Sequence, residues 1–190
     1  DKREDLYAGT PPLSATRYLP SDSVSRESSG YGGTRPSRGW TPARKKSSRK
    51  LMVVDIKRAF LHGFCTRSIY IELPGAESEG GKYVGKLVRA LYGTRDAPLA
   101  WQTVVKKDMK ELGFEECKVT NGVYTHLQRV LRTVDHVDDF LLSGEIHDFL
   151  WFRDRLLEKY ELKVQVAGWN QEDEKELSFL GRDIRLTPRV

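Results

Sequence analysis

Asp55, Asp138 and Asp139 are the residues of this 190-residue chain best placed to do chemistry. Each falls at the end or turn of an apolar run: Leu51-Met52-Val53-Val54-Asp55-Ile56, and Phe140-Leu141-Leu142 directly after His136-Val137-Asp138-Asp139. Acids so placed converge easily at one sheet edge. Clustered carboxylates repel one another unless cations neutralise them, and Mg²⁺ takes an oxygen shell made from one or two carboxylates, waters and substrate phosphates. That geometry serves two-metal phosphoryl transfer, in which one ion activates an attacking hydroxyl and the other steadies the leaving phosphate oxygens, the ions roughly 3.5–4 Å apart. Taken alone, the Asp138-Asp139 pair reads first as the acids of a β-turn.

The elements that must position these acids follow from hydrophobic period. Residues 51–56 read as a buried strand, 69–73 and 83–91 as extended segments, and 123–127 and 130–134 as successive strands. The last of these leads into a hairpin with acids at its tip and an apolar return ending at Ser143-Gly144. Trp101, Val104, Val105, Met109 and Leu112 follow the helical period over 97–112, with Gly113 as the stop, and 147–160 reads as a second helix. Leu162, Val164 and Val166 alternate as a strand does, and 177–186 suggests a final strand or hairpin. The expected fold class is α+β, a mostly antiparallel sheet with helices packed on one face.

Composition divides the chain in two. Residues 1–50 carry 11 Lys+Arg against 5 Asp+Glu, a net +6, whereas 51–190 carry 21 against 22, a net −1. From Ser21 to Lys50 the chain is rich in Ser, Gly, Pro and Arg and ends in the basic cluster Arg44, Lys45, Lys46, Arg49 and Lys50. It reads as a solvated, largely disordered linker; the alternative is a phosphate-contacting arm with Trp40 available to stack. The folded domain is expected over 51–190. Cys65 and Cys117 lack a C-x-x-C partner, which argues against a disulfide framework or a zinc site. No stretch approaches the roughly 18–20 apolar residues of a membrane span and no secretory leader opens the chain, so the expected setting is intracellular.

Three blocks occur in order: Val54-Asp55-Ile56-Lys57-Arg58-Ala59-Phe60-Leu61-His62-Gly63, then Ala90-Leu91-Tyr92-Gly93-Thr94-Arg95-Asp96-Ala97-Pro98 with Trp101, then His136-Val137-Asp138-Asp139. Together they resemble the palm of a copia-type retrotransposon reverse transcriptase, the RNA-directed DNA polymerase of a Pol polyprotein. Ile69-Tyr70-Ile71-Glu72-Leu73-Pro74, Leu112-Gly113-Phe114 and Phe179-Leu180-Gly181-Arg182-Asp183-Ile184 extend the resemblance over most of residues 51–186.

The resemblance implies a palm-like fold that joins a deoxynucleoside triphosphate to a primer 3′-hydroxyl, using two Mg²⁺ ions that Mn²⁺ can replace. Asp55 looks like the first metal ligand, with the main-chain carbonyl of Ile56 completing the shell of the nucleotide-bound ion. Asp138 is similar to the ligand that joins both ions, and Asp139 to the more peripheral third acid. The amides near Arg58 and Ala59 would face the triphosphate. Phe60 falls where the family places an aromatic gate against a ribose 2′-hydroxyl; its other reading is a strand-end core aromatic. Tyr92, Gly93 and Pro98 resemble the turn that supports the template, His136 and Val137 lie beside the primer, and Leu180 and Gly181 belong to a hairpin that grips it. Leu91, Trp101 and Phe179 read as core. The implied partners are an RNA or DNA template with its primer, the dNTP, and other segments of a Pol polyprotein, with no membrane.

The chain departs from the family at His136, where a Tyr is usual, and at Asp96-Ala97, where Gln-Ser is usual, which sets a negative charge near the expected nucleic-acid path. Upstream, only residues 4–13 faintly resemble the lead-in to the first catalytic strand. The expectation is a fragment without fingers, thumb or ribonuclease H domain. The competing reading is a non-catalytic palm-like remnant that binds nucleic acid or a partner; a small metabolic enzyme ranks last, for want of a glycine-rich phosphate loop.

Overall fold

The run Lys50–Ile56 has apolar side chains at Leu51, Met52, Val53, Val54 and Ile56, a pattern that only a strand covered on both faces can satisfy. In the computed structural model, which describes residues 10–24, 49–75 and 80–187, this segment is β1 and lies inside a six-stranded antiparallel sheet. The other strands are β4 (Phe114–Glu116), β5 (Val123–His126), β6 (Leu131–His136), β7 (Asp139–Gly144) and β8 (Leu162–Ala167), in the order β4-β5-β6-β7-β1-β8. Two hairpins stand apart, β2 (Tyr70–Glu72) with β3 (Val84–Lys86), and β9 (Glu176–Phe179) with β10 (Arg182–Arg185).

Alternation along the strands makes two cores. Met52, Val54 and Ile56 of β1 and Phe140 and Leu142 of β7 face α2 (Ala97–Glu111) and α3 (Ile146–Leu157), packing on Trp101, Val105, Met109, Phe149, Phe152 and Leu156. Pro98 near the start of α2 sacrifices no helical hydrogen bond, and Gly113, at φ +85, ends it. On the opposite face Leu51, Val53, Val134 and Leu141 meet Leu177 and Phe179 of the β9–β10 hairpin and Leu19 of a helix, α1 (Leu13–Val24).

The α+β class and the expected strands and helices are present in these elements. The single-face arrangement is corrected: α2 and α3 share one face, but α1 packs on the other against β1, β6 and β7. Leu19 is fully buried while Leu13 and Tyr18 are 51% and 53% exposed, so α1 shows no apolar stripe that period counting could detect. Residues 1–9 and 25–48, with Trp40 and the cluster from Arg44 to Lys46, lie outside the described residues. Among the described residues no helix is long and apolar enough to cross a membrane.

Candidate functional site

Antiparallel register decides which side chains meet. Asp55 on β1 lies directly opposite Asp139 on β7 and, on its other side, Lys163 on β8; Asp139 in turn lies opposite His136 on β6. Directly paired residues share a face, so His136, Asp139, Asp55 and Lys163 form one row across four strands. The row lies on the face that α1 and the β9–β10 hairpin cover further along the strands, one step beyond Val134, Leu141, Val53 and Gln165. Asp138 occupies the two-residue turn between β6 and β7, and its carbonyl accepts the Ile56 amide at 2.9 Å. Burial first, then the charges of Asp138 and Asp55, push the Asp139 carboxyl above its ordinary range, with His136 pulling the other way.

Two further groups of expected residues lie outside this row. After β1 the chain turns left-handed at Arg58 (φ +56) into a 3-10 turn, Ala59–His62, with Ala59 fully buried and Phe60 half-buried. The Phe60 ring stands 4.5 Å from that of Tyr92, so the aromatic at the expected gate position is braced by a residue expected at the template. Gly63 follows, its Cα pressed on Ala100 so closely that a Cβ would lie 3.0 Å from it, which holds the turn against α2. Gly93 takes φ +91 in the bend that feeds Pro98 and α2. On the second hairpin Leu180 and Gly181 form the turn at φ +52 and +69. Among the described residues three non-glycine residues have positive φ: Arg58, Val137 and Leu180, all of them singled out from sequence.

A family profile for reverse transcriptase (RNA-dependent DNA polymerase) matches residues 43–169. The chain belongs to that family. Among the relatives of this reverse transcriptase chain are retrovirus-related Pol polyproteins of Arabidopsis thaliana from transposon RE1, 29% identical over 71% of the chain, and from transposon RE2, 26% identical over 72%. Another is the Pol polyprotein from transposon TNT 1-94 of Nicotiana tabacum, 34% identical over 48% of the chain. These bear out the copia-type resemblance. The chain spans 9% of the length of each Arabidopsis protein and 7% of the tobacco one.

Several contacts in this reverse transcriptase region escaped sequence reasoning. The Trp101 indole N–H donates to the Val137 carbonyl, so a residue read as core also touches the acidic turn. Glu161 accepts from Lys57 at 2.5 Å and Arg58 at 2.6 Å, joining the end of β8 to the turn after β1. Lys163 faces Asp55 through a register that strand alternation alone does not supply. Asp96, expected to set a negative charge near the nucleic-acid path, is a buried residue. It is 1% exposed, and although burial acts to raise its pKa, its own amide, Thr66 and Arg67 hold it lowered. Its carboxylate is therefore engaged by Thr66 and Arg67.

The donor set suits a hard cation. It consists of carboxylate oxygens, and burial together with the charges of Asp138 and Asp55 disfavours the ionised form of Asp139, a cost that a cation would relieve. Among the described residues no three His, Cys, Asp or Glu side chains form a ready-made cage. An open carboxylate edge fits Mg²⁺, which keeps waters and takes substrate phosphate oxygens, better than it fits an ion needing a closed protein shell.

Proposed function

We propose that this chain is the palm of a copia-like RNA-directed DNA polymerase, in which a primer 3′-hydroxyl attacks the α-phosphate of a dNTP and pyrophosphate leaves. One observation carries the reading: the cross-strand pairing of Asp55 with Asp139, beside the turn that bears Asp138. Two Mg²⁺ ions held by Asp55, Asp138, Asp139 and the Ile56 carbonyl would lower the pKa of the attacking hydroxyl and steady the leaving oxygens. The chain's own contribution is positioning and electrostatics. Amides near Arg58 and Ala59 receive the triphosphate, and Phe60, braced by Tyr92, excludes a ribose 2′-hydroxyl. Tyr92, Gly93 and Pro98 support the template, while His136, Val137, Leu180 and Gly181 hold the primer end.

The test is primer extension on an RNA template with Mg²⁺ or Mn²⁺, comparing the chain with Asp138→Asn/Asp139→Asn. The expected result is extension by the wild type and a loss of at least about 10³-fold in the variant, the scale on which transition-state charge stabilisation acts. A folded wild-type chain that extends no primer with either ion overturns catalysis by this chain. It would favour the second reading, a palm-like module that binds nucleic acid.

A further inference from the structure

Val137 opens the two-residue turn between β6 and β7 at φ +63, a backbone region that a β-branched side chain avoids. Strain of this kind persists only where the surroundings over-determine it. Two hydrogen bonds do so here. From one side the Ile56 amide donates to the Asp138 carbonyl at 2.9 Å, and from the other the Trp101 indole N–H donates to the Val137 carbonyl. Trp101 is itself immobilised: it is 1% exposed, and Tyr160 meets its ring edge-on at 5.5 Å and 86°. The Tyr160 hydroxyl donates to Asp108, which also accepts from Lys159 at 2.7 Å. Core packing alone would be satisfied by Phe or Leu at position 101; the indole adds a donor at the edge of a large apolar body.

We infer that Trp101 is a positioning residue whose indole N–H clamps the strained Val137 turn and so sets Asp138 beside Asp55. The inference rests on the proposed metal-dependent reading, because what the clamp orients is a cation ligand. Groups that orient metal ligands typically change metal affinity about 10- to 100-fold when removed.

The variant Trp101→Phe keeps a ring in the core and deletes the donor. Mn²⁺ binding, read by the electron paramagnetic resonance of the free ion, is expected to weaken about tenfold. Val137→Gly removes the conflict between side chain and φ, so the clamp has less to hold. In that background Trp101→Phe is expected to weaken Mn²⁺ binding by less than about threefold, because coupled sites are not additive. Equal affinity in wild type and Trp101→Phe, or the same loss with and without Val137→Gly, overturns the inference. If the wild type binds no Mn²⁺, the metal reading fails, and hydrogen exchange decides the clamp separately. Faster exchange of the Ile56 amide in Trp101→Phe supports the clamp and unchanged exchange overturns it. Should Trp101→Phe not fold, a protected Trp101 indole proton in the wild type supports the hydrogen bond, and a freely exchanging one overturns it.

Discussion

Alternation along β6 separates two neighbouring residues into different electrostatic worlds. His136 joins the row that holds Asp55 and Asp139, while Asp135 points to the opposite face, toward the core under α2. There it is 5% exposed, and burial first, then the Glu116 carboxylate, push its pKa up to about 7 against the pull of Lys106. Its value in the unfolded chain is near 3.8, so between about pH 4 and pH 7 the native state holds a proton that the unfolded state has released. Stability must fall as pH rises through that window. Asp135→Asn is expected to flatten this slope and to be more stable than wild type at pH 8 by roughly 1–3 kcal/mol. Urea midpoints at pH 5 and pH 8 check this, and a variant that keeps the wild-type slope shows that the proton is elsewhere. Asp55, Asp138 and Asp139 were legible in the sequence because each interrupts or ends an apolar run. The Trp101 contact with the Val137 carbonyl and the pairing of Lys163 with Asp55 were not, because a hydrogen bond across 36 positions and a strand register both depend on tertiary pairing.

At the scale of elements, strong periodicity was a sufficient guide and its absence a misleading one. The helix expected over 97–112 is α2 at Ala97–Glu111, and the one expected over 147–160 is α3 at Ile146–Leu157, because each offers several buried side chains at helical spacing. The acid-tipped hairpin is β6–β7, its apolar return buried from Phe140 to Gly144. Short β4 went unassigned because, of Phe114, Glu115 and Glu116, only Phe114 is buried. Among the described side chains of helix α1, Leu19 is likewise the one fully buried, yet that residue closes the core formed by Leu51, Val53, Val134 and Leu141. If α1 is integral to the fold, Leu19→Ala should cost about 2–4 kcal/mol through lost burial and a cavity, whereas Leu13→Ala on the same helix, 51% exposed, should stay within about 0.5 kcal/mol. Urea denaturation of the two variants separates a docked helix from a loosely attached one, for which both changes would be small.

For the molecule as a whole, the uneven charge along the chain lets nucleic-acid binding be tested apart from the proposed catalysis. Lys50, although part of the basic cluster, commits its ammonium to Asp173, and Arg44, Lys45 and Lys46 are three of the other cations of that cluster to test against phosphates. The three acids work in the opposite sense: Asp55, Asp138 and Asp139 repel a nucleic acid unless cations intervene. Asp138→Asn/Asp139→Asn removes two negative charges from that group and no cation from the basic segment. Its affinity for a single-stranded RNA in EDTA is therefore expected to equal or exceed that of the wild type, even as primer extension is lost. Replacing Arg44, Lys45 and Lys46 with Gln should act differently, weakening binding and reducing the slope of log affinity against log salt by up to about 2, since each cation on a single strand contributes about 0.7. Fluorescence anisotropy over a salt series measures both effects. If the three Gln substitutions leave the slope unchanged, RNA affinity arises in the folded domain, and the arm is the solvated linker that its composition first suggests. If the slope falls while Asp138→Asn/Asp139→Asn binds as well as wild type, the chain has two separable devices: a basic segment that gathers nucleic acid without metal, and a carboxylate row that acts on it only with metal.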